Sequence, residues 1–142
     1  MSDTSAYPDL STFEIQTDAH TQPFWVAAAE GRLIFPRCSE CHRFRWPPGP
    51  FCAACRSQQT QWISAGTGRI FSYTIIPAMP APRVVGLIEF PEAGNVRLTA
   101  SIVDTPVKQL RIGAQVDLSW IQAANANIPV FRPRNLIDPR KL

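Results

Sequence analysis

Histidine is scarce in this chain: two occur in 142 residues, His20 and His42. Cysteine is confined to Cys38, Cys41, Cys52 and Cys55. No Gly-x-Ser-x-Gly elbow, Walker-type phosphate loop or His-Glu-x-x-His helix occurs. Nucleophilic catalysis needs a thiol or hydroxyl beside a base, and the residues for it are missing if the cysteines are committed elsewhere. No apolar run approaches the roughly 20 residues that cross a bilayer. Met1 to His20 holds Asp3, Asp9, Glu14 and Asp18 but no Lys or Arg, unlike a secretory signal or a transit peptide. The expectation is a soluble, cytoplasmic chain, where thiols stay reduced.

What the sequence does have is Cys38-Ser-Glu-Cys41, ten residues, then Cys52-Ala-Ala-Cys55. Two residues between cysteines let one tight turn present both sulfurs to one ion, and two such turns complete a tetrahedral thiolate shell suited to zinc. A closed shell leaves no position for water or substrate, so this zinc would be structural. Iron can occupy the same thiolates. Two disulfides would need an oxidising compartment, and a redox motif uses one CxxC near a βαβ pattern. The residues just after each second cysteine, His42 and Arg56, stand where such knuckles favour glycine because the backbone turns through positive φ.

Along the chain, residues 1–21 form an N-terminal arm with Tyr7, Leu10, Phe13 and Ile15 on a polar background, read either as a disordered end or as an arm that packs on a partner. Thr21-Gln22-Pro23 starts a short helix by cap and proline, and Gly31 ends it. Phe24 to Ala29 is apolar nearly all round, which asks for a second cover. Arg32 to Phe35 reads as a strand leading into Cys38. From Trp62 the pattern becomes strands: 69–76, 84–90, 96–103, 116–121 and a closing Val130-Phe131, with turns between. Five short strands suggest a small closed barrel, since closure removes exposed edges. The expected units are 1–21 (arm), 22–61 (helix plus metal ribbon), 62–133 (barrel) and 134–142 (basic tail with Arg134, Arg140 and Lys141).

Taken in order, Phe24-Trp25, Glu30-Gly-Arg-Leu33, the two cysteine pairs, Trp46-Pro-Pro48, Gly68-Arg-Ile-Phe-Ser-Tyr-Thr74, Arg111-Ile-Gly113 and Pro129-Val-Phe-Arg-Pro133 resemble the DUF35 family, acyl-CoA-associated OB-fold proteins with a rubredoxin-like zinc ribbon. The resemblance covers roughly residues 22–133. It implies a mainly β protein: an N-terminal helix, a rubredoxin-like zinc ribbon and a C-terminal OB-fold barrel. It also implies a role beside thiolase-fold acyltransferases or enoyl-CoA hydratases in lipid and polyketide chemistry. One such assembly is similar to a phloroglucinol C-acetyltransferase.

Three functions follow. The first is a non-catalytic scaffold subunit of a thiolase-type acyl-transferring complex, or of a hydratase complex. The second is a CoA or acyl-CoA module. Arg32, Arg37, Arg43, Arg45 and Arg56 face one acid, Glu40, within 31–56; guanidinium forks suit phosphates, and Arg43, Arg45 and Trp46 are the candidate contacts. The third is single-stranded nucleic-acid binding, as zinc ribbons and OB barrels allow. A net charge of +3 and a pI of 8.9 fall short of a strongly basic nucleic-acid domain.

Overall fold

A computed structural model describes residues 2–137. Among these residues one α-helix, α1 (Gln22–Ala29), precedes seven strands: β1 (Ile34–Cys38), β2 (Thr60–Ser64), β3 (Gly68–Ile76), β4 (Arg83–Phe90), β5 (Val96–Ile102), β6 (Gln115–Gln122) and β7 (Asn127–Pro133). β1 and β2 pair antiparallel, Ile34 opposite Ser64 and Cys38 opposite Thr60. The other five close a barrel in the order β3-β4-β5-β7-β6. β5 and β7 meet in parallel, at Ile102 and Phe131. β2 runs across position 61/62 and pairs only within the ribbon sheet.

Alternation explains the barrel strands. β5 buries Val96, Leu98, Ala100 and Ile102 and exposes Arg97 and Thr99 between them, the two-residue period of a half-buried strand. β7 is longer than Val130-Phe131 and includes two prolines. Pro129 and Pro133 lie opposite Trp120 and Val116, and β7 pairs with β5 at one position only. A strand so lightly paired on one side tolerates residues without N–H donors.

Helix α1 forms where the capping and proline signals place it, but the cap works differently. The Thr21 hydroxyl accepts a bond from the Asp18 amide, while the Asp18 carboxylate accepts from the His20 and Thr21 amides. Those amides, Thr21 first, hold the Asp18 carboxyl below its ordinary value. Gly31 closes the helix at φ 76°, a conformation glycine adopts without strain. The helix buries Phe24, Ala27 and Ala28 and leaves Val26 exposed, so only one face is covered.

A single core runs through all three parts. Phe24 of α1, Phe35 of β1, and Ile70, Ile88, Phe90 and Phe131 of the barrel belong to one buried cluster. Rings link it end to end. Trp46 lies 5.0 Å from Phe24 and 5.1 Å from Phe35, Phe35 lies 5.0 Å from Phe90, and Phe90 lies 6.0 Å from Phe131.

The N-terminal arm is neither a loose end nor free of its own chain. Ser5 is buried and exchanges backbone bonds with Thr105 and Asp104. Ser2 and Ala6 donate to the carbonyls of Pro80 and Pro82. Ile15 is held on both sides of its backbone by the Asn125 side-chain amide, at 2.8 and 2.9 Å. Its polar side chains and backbone satisfy one another against the barrel, which the scattered Tyr7, Leu10, Phe13 and Ile15 do not announce. In the basic tail, Arg134 pairs with Asp117 at 2.9 Å. Arg140 and Lys141 lie outside the described residues.

Candidate metal centre and adjoining recesses

The two knuckles are built alike. In the first, the Cys38 amide donates to the Arg43 carbonyl and the His42 amide to the Cys38 carbonyl; in the second, Cys52 donates to Ser57 and Arg56 to Cys52. His42 and Arg56 close these turns at φ 63° and 66°. The backbone therefore makes the left-handed turn without glycine, at a His, which tolerates that region better than most residues, and at an Arg, which does so less well.

This geometry brings Cys38, Cys41, Cys52 and Cys55 together, with all four Sγ atoms within 4.8 Å of one another. Cys38 and Cys55 are 3.5 Å apart, as are Cys41 and Cys52. Zinc bonds of about 2.3 Å put tetrahedral sulfurs about 3.8 Å apart, so the donor set fits zinc. Backbone amides aimed at the sulfurs prepare the charge. Those of Cys41 and Glu40 bring the Cys38 thiol down to about 6, and those of Cys55 and Ala54 lower Cys52. The Ser57 amide also draws Cys55 down, but the crowding Cys38, Cys41 and Cys52 sulfurs together with burial outweigh it and push it up to about 12. Four thiols this close resist ionising together until a cation sits among them. Cys38 and Cys52 are buried, and four protein sulfurs complete the shell, so the centre holds the ribbon and leaves no position for substrate.

Arg43, Arg45 and Trp46 do not share one cavity. Arg43 is exposed. Trp46 packs on Phe24 and Phe35 and lines an apolar recess of about 330 Å³ with Trp25, Val85, Leu98 and Pro129. Arg45 lines a different recess of about 360 Å³ between the arm and the ribbon, with His20, Pro36, Pro50, Thr60 and Trp62. One guanidinium nitrogen of Arg45 donates to Thr60 Oγ1 at 2.6 Å and to the Gly49 carbonyl at 3.2 Å. Its Nε and other terminal nitrogen are buried without a partner among the described residues, and no Asp or Glu lines this recess. Trp62 and His20, rather than Trp46, are therefore the rings that share the Arg45 recess. Sequence proximity favoured Trp46, because the ribbon pairing that sets Trp62 opposite Pro36 is not readable from spacing.

The barrel carries a second charged cluster. Glu89, 6% exposed, receives Arg69 on one oxygen and Arg97, at 2.9 Å, on the other. Arg69 first and Arg97 second hold its carboxyl below the ordinary range. Arg97 also lies 3.6 Å from the centre of the Phe71 ring. All its members are partnered with one another, so this cluster reads as structural.

Among the described residues no helix is long and apolar enough to cross a membrane. Residues 25–61 match the rubredoxin-like zinc ribbon domain of ChsH2, and residues 64–120 match the ChsH2 C-terminal OB-fold domain. In a solved Ltp2-ChsH2(DUF35) aldolase, one chain is 34% identical, with a TM-score of 0.75 over 84% of this chain and 98% of that one. A DUF35 protein of unknown function from Sulfolobus solfataricus shares the fold at 19% identity, with a TM-score of 0.62 over 83% of this chain and 87% of that one. A probable enoyl-CoA hydratase alpha subunit of Thermomonospora curvata is 38% identical over an alignment of 118 positions that covers 78% of this chain. The chain spans 36% of the length of that subunit.

Proposed function

The chain belongs to the DUF35 family, zinc ribbons joined to an OB barrel and represented by ChsH2, and from that premise we propose that it is a non-catalytic accessory subunit of an enzyme complex acting on acyl-CoA thioesters. The observation that carries this reading is the commitment of all four cysteines to one closed shell, in a chain whose two histidines are His42, in the first knuckle, and His20, in the arm beside the Arg45 recess. No thiol and base are left to attack a thioester. The chemistry then resides on a partner, for which a thiolase-fold acyltransferase is the finer proposal. The names of relatives supply the alternatives, a hydratase by the Thermomonospora subunit and an aldolase by the Ltp2 complex. The ribbon and helix hold the partner while zinc keeps the ribbon rigid, and reduced thiolates suit the cytoplasm.

A second reading, compatible with the first, is supported by the two Arg45 guanidinium nitrogens that lack a partner, in a recess where no acid stands among the described residues. Guanidinium donors left without partners favour an oxyanion, and a CoA phosphate is one that such a complex would supply. Arg43 at the surface would add long-range attraction, and Trp46 would contribute only from its separate recess.

Affinity isolation of the tagged chain from its own cells tests the first reading. A stoichiometric enzyme subunit with about one zinc per chain is the expected outcome. A zinc-bearing chain that arrives alone, or with nucleic acid, overturns it. For the second reading, replacing Arg43 and Arg45 by Ala should weaken CoA retention while the complex stays assembled. Dissociation of the complex would reassign both residues to the interface.

A further inference from the structure

The barrel is closed unevenly at β3. Gly68 and Arg69 pair with β6, and Ile70 bonds to Gly113 and Ala114 in the preceding loop. From Ser72 to Ile76, β3 pairs with β4 alone. No other backbone bond reaches residues 71–76 among the described residues. In an antiparallel pair, alternate residues turn their N–H and C=O away from the neighbour, so this stretch presents an open row of donors and acceptors.

Open edges recruit other strands unless something blunts them, usually a charge. Here Ile70 to Ala81 contains no charged residue. Ile75 and Ile76 are 41% and 44% exposed, and Met79 is 72% exposed. Ile75, Pro77, Met79, Pro82 and Val107 line a mainly apolar recess of about 440 Å³, to which the arm adds one acid, Asp3. The arm braces the loop that forms its wall, through the bonds of Ser2 and Ala6 to Pro80 and Pro82. Edge and recess are therefore preformed, which lowers the ordering cost of binding.

The surroundings indicate the occupant. Arg83 lies opposite Ile76 at one end. At the other end, Arg97 covers Phe71 and Arg111 lies in the loop beside Ile70. Glu89 is already held between Arg69 and Arg97. Two copies joined edge to edge would bring two such cationic rims together, which like-charge repulsion opposes. An acidic flank would complement them.

We propose that the Phe71–Ile76 edge accepts an added β-strand from a partner protein: an extended apolar segment flanked by acidic residues, with one side chain seated in the recess beside Ile75 and Met79. This rests on the accessory-subunit reading only in requiring a partner, and it holds for any class of enzyme. Backbone bonds supply the affinity in such a mode, and pockets for alternate side chains supply the selectivity.

The test is hydrogen exchange of the full-length chain, titrated with a synthetic peptide of alternating Val and Thr with two Glu at each end. The expected result is saturable slowing of the amides in 71–76, by at least about tenfold. The exposed substitution Thr74→Lys abolishes it, and Ser119→Lys on β6 does not. No slowing at millimolar peptide overturns the proposal. So does equal slowing by a peptide N-methylated at alternate amides, or unchanged slowing in Thr74→Lys. Protection that grows with the chain's own concentration, without peptide, assigns the edge to a second copy and overturns the proposed occupant. The peptide experiment does not depend on which subunit is isolated from cells, so failure of the accessory reading and failure of this edge remain distinguishable.

Discussion

Phe35→Ala tests whether ribbon and barrel fold as one unit. Phe35 is fully buried in β1, and its ring is in edge contact with Trp46 on the ribbon side and Phe90 on the barrel side. Truncating a buried phenylalanine costs about 3–5 kcal/mol in lost transfer energy and cavity formation. A domain of this size has about 5–15 kcal/mol in total, so the variant stays folded with a much smaller margin. With a urea m-value of about 2 kcal/mol/M, the midpoint falls by about 2 M. Two probes separate the parts. In a Trp120→Phe background, which removes the one tryptophan of the barrel strands, Trp25, Trp46 and Trp62 report fluorescence from helix and ribbon, while far-ultraviolet circular dichroism is dominated by the five barrel strands. Cooperative folding requires both signals to shift together. A circular-dichroism midpoint that stays in place while fluorescence moves would refute the single-core argument, because the barrel would then be indifferent to the ring that caps it.

Three further substitutions probe separate forces. Cys52→Ser removes one of four ligands from a centre that contributes on the order of 10 kcal/mol in small zinc domains; metal analysis and calorimetry should show loss of zinc and a large fall in Tm, and undiminished stability without metal would remove the structural role. Gly86→Ala places a Cβ 2.6 Å from Cδ1 of Ile102, which is fully buried and cannot withdraw; a loss of about 1–3 kcal/mol in urea unfolding is expected, and a neutral result would mean that β4 and β5 can separate there. Glu89 has a depressed folded-state pKa, so its contribution is present above the unfolded value near 4.5 and is lost as pH falls through the folded value. Glu89→Gln should therefore lower Tm at pH 7 and flatten the decline of Tm below about pH 4.5; an unchanged acid slope would show that Arg69 and Arg97 do not hold that proton off.

Legibility in this chain follows the range of the forces. The metal centre was readable because CxxC spacing is local: two turns of six residues carry all four ligands, and His42 and Arg56 sit at the positive-φ positions that the spacing implies. The barrel strands were readable from their two-residue period, clearest in β5, and β7 extends past Val130-Phe131 on both sides, to Asn127 and Pro133, through pairing with β6 that the local pattern does not show. What could not be read depends on contacts remote in sequence. Asn125 holds Ile15 across 110 positions and Ser5 bonds Thr105 across 100, so nothing in residues 1–21 alone distinguishes a clasp from a loose end. Arg45 shares a recess with Trp62 rather than with its neighbour Trp46 because β1 and β2 pair over a 21-residue connection. The open edge of β3 belongs to the same class. Its composition was visible as a strand, but whether β6 would cover it was decided by the Arg111–Ala114 loop, which reaches only as far as Ile70. A strand that closes the barrel at one end and stands free at the other gives a single short element two tasks, internal closure and external pairing. Their dividing point is the Phe71 bulge, where the register with β4 shifts and the twist of an antiparallel pair increases.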